Sequence, residues 1–325
     1  MTTTRQTAGY RRIADKLGRG ELVILDGGIA SELQHAGYPQ DLNLGELWGV
    51  RALYSEQGLA ATREVHRRYL AAGAEVLMTN TFRLDMCPVA ERDGRIDAPP
   101  GTWRDLVGRS VDLVRTQAAE AGRGGEVAVA FVQARPAAVD PDWLRELSRL
   151  IGEARPDLMI MEANQDLPAD LRFPEYEALM ESGIPLWVSY RRVVGGTVGL
   201  YGEIRERDGD LFQRAVERLE AIGIQAVLVH CLPALSVEGA IPWLREATNL
   251  PLGVYANTGR FTNPGWDVSL ADTPEEYLEY ARDWVAQGAR IIGGCCGVGP
   301  AHIEALAREL PRRAAPASRV ARPGA

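Results

Sequence analysis

The chain has 325 residues, 46 % apolar and 25 % charged, with 36 Lys+Arg against 44 Asp+Glu and a formal net charge of −8. This is the make-up of a soluble globular protein. Its acidity argues against a nucleic-acid partner, and no apolar run nears the roughly 20 residues that span a bilayer. The first ten residues are polar and hold no apolar signal core, which points to the cytoplasm.

Short apolar runs recur along the chain and read as strands. In order they are 22–26 (LVILD), 75–80 (EVLMTN), 126–132 (EVAVAFV), 157–162 (DLMIME), 185–190 (PLWVSY), 225–230 (QAVLVH), 251–256 (PLGVYA) and 290–294 (RIIGG). Between them lie segments of helical period, such as 54–72, 102–121, 211–222 and 273–287. Gly73, Gly183, Gly223 and Gly288 stand where helices should stop before the next strand. Near-continuous apolar strands suit a parallel sheet buried on both faces. Their alternation with helices eight times over, with no break in composition, predicts an α/β fold: a single (β/α)8 TIM barrel. The first strand is followed by Asp26-Gly27-Gly28, not by G-x-G-x-x-G, so a dinucleotide-binding sheet is disfavoured. Residues 1–312 are assigned to the barrel. Residues 313–325 lack periodicity and are expected to form a disordered tail.

Barrels of this kind carry their chemistry at the C-terminal ends of the strands. Those ends hold Asp26, Asn80 with Thr81, Glu162, Ser189 with Tyr190, His230 with Cys231, Asn257, and Cys295 with Cys296. Three of the four cysteines fall there. Together they could hold one Zn²⁺, since thiolates suit zinc and three protein ligands leave a fourth position open. Two other readings of the same residues stand beside this one: buried cysteines acting as small apolar side chains, and a redox pair at Cys295–Cys296. Cys87 matches no ligand position and is read as structural.

The segments 25–34 (LDGGIASELQ), 78–82 (MTNTF), 157–162, 229–231 (VHC), 255–259 (YANTG) and 293–303 (GGCCGVGPAHI) resemble the zinc-dependent homocysteine S-methyltransferases, in family order and over nearly the whole barrel. The resemblance implies that Cys231, Cys295 and Cys296 bind Zn²⁺ and that the substrate thiol takes the open position. It implies a methyl group passing from a small sulfonium donor, S-methylmethionine or S-adenosylmethionine, to the thiol of L-homocysteine, giving methionine. Substrate contacts implied by the matching motifs are Asp26, Gly27, Asn80, Thr81 and Glu162, the two carboxylates suiting an α-ammonium group. Partners are then a small thiol acceptor and a methyl donor; homo-oligomer formation is left open.

The chain also departs from the family pattern. His230 replaces the usual Asn before the first zinc cysteine, and as a catalytic candidate it could donate a hydrogen bond, complete the metal shell or act as a base. Ala30 replaces a glycine, and Glu162-Ala163-Asn164 replaces Glu-Thr. In place of a Gly-Pro-Tyr-Gly type segment stands 131–136 (FVQARP), expected as a mouth loop after the third strand. There Arg135 is read either as a carboxylate binder or as a solvated residue. These changes leave open a diverged enzyme acting on another thiol or a selenol, and a zinc-binding barrel without catalysis. Trp48, Phe82, Tyr190, Tyr255 and Trp266 are candidates to face a cationic methyl donor.

Overall fold

All eight apolar runs become strands in the computed structural model, which describes residues 6–39, 47–136, 140–163, 168, 170–193, 204–205, 209–237, 239–262 and 265–312. They are β1 (Val23–Ile24), β2 (Val76–Met78), β3 (Ala128–Ala134), β4 (Leu158–Ala163), β5 (Leu186–Tyr190), β6 (Ala226–Pro233), β7 (Leu252–Asn257) and β8 (Ile291–Gly294). Every neighbouring pair is parallel, in the order β1-β8-β7-β6-β5-β4-β3-β2. A parallel bridge between Leu25 and Val76 joins the two ends and closes the ring. The expected single (β/α)8 barrel is therefore present. Residues 313–325, the expected tail, and Asn164 lie outside the described residues.

The helices between strands begin and end as local chemistry dictates. Ser55 accepts from the Gly58 amide at the start of Glu56–Ala71, and Thr273 with Glu276 forms a capping box at the start of Pro274–Gln287. Gly73, Gly183, Gly223 and Gly288 take φ of 97°, 75°, 110° and 116°, the left-handed stop that only glycine adopts without strain. The helix Ala8–Gly18 turns Tyr10 and Ile13 inward, and Thr7, its cap, bonds to Asp157 just before β4. That contact pins the helix to the strand entrances. No helix among the described residues is long and apolar enough to cross a membrane.

Two strands run further than their apolar patterns. β3 continues through Ala134, with Gln133 opposite Met161 and Ala134 opposite Glu162, so the expected mouth loop is strand as far as Ala134. The reason is backbone pairing: the Ala134 amide donates to the Phe82 carbonyl and the Arg135 amide to the Glu162 carbonyl. β6 continues past His230 to Pro233, and its register against β7 slips between those two residues. That slip bears directly on the site.

One buried group sets a stability test. His66, on the core face of Glu56–Ala71, is fully buried, and neither ring nitrogen has a hydrogen-bond partner among the described residues. Burial alone pulls its pKa down to about 4. A depressed histidine stabilises the fold fully above the unfolded value near 6.5 and progressively less as pH falls toward about 4, because the unfolded chain takes up the proton first. The loss amounts to about 3 kcal/mol. His66→Leu, similar in volume and without unpaired nitrogens, is expected to hold or raise Tm at pH 7.5 and to lose less between pH 7 and pH 4.5. Parallel Tm curves for the two proteins across that range would remove His66 from the acid response.

Candidate functional site

The sulfur cluster is assembled from two places in the chain. At the top of β6 two residues, Cys231 and Leu232, oppose the single Ala256 of β7, which makes a bulge. Cys231 takes φ 53°, one of three non-glycine residues with positive φ among those described. An unbulged strand would alternate His230 and Cys231 across the sheet; the bulge re-aims the Cys231 thiol toward the loop after β8. There Cys295 and Cys296 follow directly on the strand. The three sulfurs all lie within 4.8 Å of one another, and Cys295 Sγ is 3.9 Å from Cys296 Sγ. All three are half-buried, as an opening for substrate requires.

Two adjacent cysteines reach one point because the loop carrying them is stapled on both sides. The Cys295 amide donates to the Ala256 carbonyl, the Thr258 amide to the Cys296 carbonyl, and the Gly294 amide to the Asp26 carbonyl. Gly28 donates to the Val298 carbonyl and Gly297 to Ser31 Oγ. The glycines are needed for contact: a Cβ on Gly27 would sit 2.1 Å from the Val298 carbonyl oxygen, and one on Gly297 (φ 81°) 2.1 Å from that of Thr258. Gly27 is thus the seat of the cysteine loop. In the same motif His302 accepts from the Gly299 amide through Nδ1 at 3.2 Å, so its Nε2 carries the proton and donates to the Asp272 carbonyl at 2.9 Å.

Asn257 ties the halves together, donating from Nδ2 to Cys231 Sγ at 3.7 Å and accepting the Cys296 amide at 3.1 Å. Arg191 gives Nε to the Cys231 carbonyl at 2.8 Å and holds the bulge. The sequence put Asn257 at a strand end but offered nothing to connect it with sulfur. Arg191 was missed, its only signal being its place directly after Tyr190. Electrostatically the three sulfurs are not equivalent. Hydrogen bonds from Cys295 and then Cys296 hold Cys231 well below the ordinary thiol range, while the contact with Cys231 pushes each of those two up.

The residues predicted around the cluster fall into two groups. Inside the barrel, Glu162 is buried, accepts from the Tyr255 hydroxyl at 3.0 Å, and is pushed up to about 8, by burial first and by the negative Cys231 second. Tyr255 stacks on His230, with centroids 5.4 Å apart and planes at 19°. His230 is fully buried and pulled down to about 4 by desolvation, so its ring is neutral at pH 7. Its Nδ1 shares a hydrogen bond with Ser189 Oγ at 2.8 Å, and its Nε2 stands 3.7 Å from Glu162 Oε2. Both nitrogens turn to the barrel interior, and the ligand group formed by the described residues is the three cysteines. Asp26 is fully buried beside the cysteine loop. Its Oδ2 accepts the Met78 amide at 3.0 Å, its Oδ1 has no partner among the described residues, and burial drives its pKa well up.

Other candidates are engaged with the scaffold. Thr81 bonds the Val132 carbonyl and Thr79 Oγ1, both at 2.6 Å, and Asn80 donates to the Gly49 carbonyl at 3.2 Å. Arg135 is not a solvated loop residue: its side chain is 12 % exposed and gives Nε to the buried Glu175 at 2.5 Å. The carboxylate it binds is one of this chain's own, brought to it when β3 extends to Ala134. Tyr190 and Tyr255 are buried. Trp266 donates Nε1 to the Thr258 carbonyl at 2.7 Å, while Trp48 and Phe82 stay part-exposed. Cys87 is buried and pushed up to about 12 by burial, as a structural thiol should be.

The family model described as homocysteine S-methyltransferase matches residues 23–310, from the first barrel strand to the last helix. The chain belongs to the homocysteine S-methyltransferase family. Among relatives, homocysteine S-methyltransferase 3 of Zea mays is 27 % identical over 92 % of this chain and 93 % of its own length. The selenocysteine Se-methyltransferase of Brassica oleracea var. italica is 24 % identical over 90 % of each. The metallated form of the homocysteine methyltransferase MmuM from Escherichia coli superposes with a TM-score of 0.67 at 23 % identity, covering 92 % of this chain and 99 % of that one. At that identity the likeness carries the fold.

Proposed function

We propose that the protein transfers a methyl group from a small sulfonium compound, S-methylmethionine or S-adenosylmethionine, to the thiol of L-homocysteine, at a zinc site formed by Cys231, Cys295 and Cys296. The observation that carries this reading is the convergence of three sulfurs from two strand ends, within a chain of this family. The donor set fits the metal. Zn–S bonds of about 2.3 Å in a tetrahedron put sulfurs about 3.8 Å apart, and the Cys295–Cys296 separation is 3.9 Å. Asn257 supplies the outer hydrogen bond to sulfur that such sites use to orient a ligand. Bound there, zinc would supply a Lewis acid that lets a substrate thiol exist as thiolate at neutral pH.

The chain's own residues account for the rest. Asp26 offers an unpaired, desolvated carboxylate oxygen at the edge of the cysteine loop, and Glu162 offers a second acid inside the barrel. An arriving α-ammonium group gives each the cation it lacks and draws it into the ionised form. His230, neutral and held by Ser189 and Tyr255, keeps Glu162 in place; it acts as a positioning residue. In the transfer the acceptor thiol gives up its proton to solvent and its sulfur attacks the sulfonium methyl carbon in line. The donor's S–CH3 bond breaks, and the donor leaves as a neutral thioether. A selenol acceptor is the second reading, favoured by the selenocysteine Se-methyltransferase among the relatives.

The deciding experiment is an initial-rate grid of thiol and selenol acceptors against sulfonium donors, with zinc and with chelator. Turnover of L-homocysteine with one sulfonium donor, lost with chelator and restored by zinc, is the expected result. Rates indifferent to chelator, or no turnover anywhere on the grid, would reject the reading.

A further inference from the structure

The cysteine pair is gripped from one short stretch, residues 256–258. The Ala256 carbonyl accepts the Cys295 amide, Asn257 Oδ1 accepts the Cys296 amide, and the Thr258 amide donates to the Cys296 carbonyl. Thr258 stands past Asn257, the last residue of β7, yet it is 1 % exposed. Side chains hold it there. Trp266 Nε1 donates to its carbonyl at 2.7 Å, and its hydroxyl donates to Asp272 Oδ2 at 2.9 Å while accepting the Asp272 amide. Asp272 is held in turn by His302, whose Nε2 donates to its carbonyl at 2.9 Å.

His302 comes from the far side of the same loop, where its Nδ1 accepts the Gly299 amide at 3.2 Å. The bonds therefore close a circuit. It runs from Cys296 to Thr258, on to Asp272 and His302, and back through Gly299 to the cysteine loop. A second contact reaches the same stretch: the His302 ring packs edge-on against Tyr277, with centroids 5.7 Å apart and planes at 84°. Tyr277 is fully buried, and its hydroxyl lies 3.1 Å from the Ala256 carbonyl and 2.9 Å from that of Gly293. The first amide of a helix needs only a local acceptor, which a short polar side chain supplies. Imidazole offers an acceptor and a donor on one rigid ring, so at this position it caps its helix and grips a distant segment at once.

A metal binds more tightly to ligands already in place, because the cost of ordering them is not then set against the metal–sulfur bonds. We infer that His302 is a positioning residue of the metal centre: through Asp272 and Thr258 it fixes residues 256–258, and with them the sulfurs of Cys295 and Cys296, a role that rests on the three cysteines being the zinc ligands.

The test titrates zinc into the metal-free full chain against a chromophoric chelator, and records the thiolate-to-cobalt charge-transfer band of the Co²⁺ form. His302→Asn keeps an acceptor for the Gly299 amide and is too short to reach Asp272; His302→Gln is long enough. Loss of an outer contact at a metal site typically costs about 10–100-fold in affinity. His302→Asn should weaken zinc binding about tenfold and shift the cobalt band, with His302→Gln recovering most of the loss. Thr258→Val removes the hydroxyl that receives Asp272 and keeps the amide on Cys296; it should also cost about tenfold. Since both residues lie on one path, the double variant should bind within about twofold of either single variant, not about a hundredfold below the wild type. Zinc affinity and cobalt band unchanged in His302→Asn would overturn the inference. So would a loss that His302→Gln does not recover, or one that adds in full to that of Thr258→Val. If His302→Asn does not fold, unchanged affinity in Thr258→Val overturns it alone. A wild type that takes up no zinc sinks the ligand assignment and this role together, whereas equal uptake by wild type and variants sinks this role only.

Discussion

Cys231→Ala is expected to leave a folded barrel that retains no stoichiometric zinc and transfers methyl groups roughly 10³-fold more slowly or worse. Cys231 is the sulfur brought in from the far strand, and without it the remaining pair comes from one short loop. Its backbone sharpens the test. At φ 53° a residue with a Cβ bears strain of about 1–2 kcal/mol. Cys231→Gly removes sulfur and strain together. The metal-free glycine variant should therefore melt above the metal-free alanine variant, while both fail to bind zinc. Metal content by mass spectrometry, beside Tm of the chelated proteins, checks both halves. Full zinc occupancy in either variant would show that Cys231 is not a ligand.

Asp26→Asn is expected to raise KM for L-homocysteine about 100-fold while the fold holds or gains stability. The carboxylate is fully buried, with one oxygen on the Met78 amide and the other without a partner among the described residues. Losing a desolvated partner of an ammonium ion typically costs about 2–5 kcal/mol in binding. The same carboxylate burdens the free protein. Because burial raises its pKa above the unfolded value, the fold loses stability as pH rises from about 3.8 toward the raised value. Asparagine keeps an acceptor for the Met78 amide and has no charge to desolvate. The informative comparison uses 4-mercaptobutyrate, which keeps the thiol and carboxyl groups of homocysteine and lacks the amino group. Wild type and variant should use it equally poorly. An unchanged KM for homocysteine in Asp26→Asn would take the ammonium away from this residue.

Much of the molecule is legible in one dimension because its signals are local. Strand runs buried on both faces, helix stops at Gly73, Gly183, Gly223 and Gly288, and capping at Ser55 and Thr273 depend only on neighbours in sequence. Strand ends then locate the mouth of a parallel barrel, so the sequence alone puts Asp26, Glu162, Asn257 and three cysteines at it. What escaped depends on pairing between strands. The apolar pattern of the third run ends at Val132, yet the strand continues to Ala134 because carbonyls of Phe82 and Glu162 wait for its amides. That extension buries Arg135 against Glu175, a partner 40 residues away. His230 is open to the roles of ligand, donor or base until its nitrogens are placed facing Ser189 and Glu162.

The sequence by itself determined the family, the barrel and the identity of the three sulfurs, because GGCCG and the strand-end residues are contiguous signals that survive without coordinates. Only the tertiary structure decided that those sulfurs meet. The meeting needs an extra residue in β6 opposite Ala256, a left-handed Cys231, and a glycine at 27 that lets the cysteine loop approach the first strand. Each is a relation between segments far apart in the chain, with no periodicity to announce it.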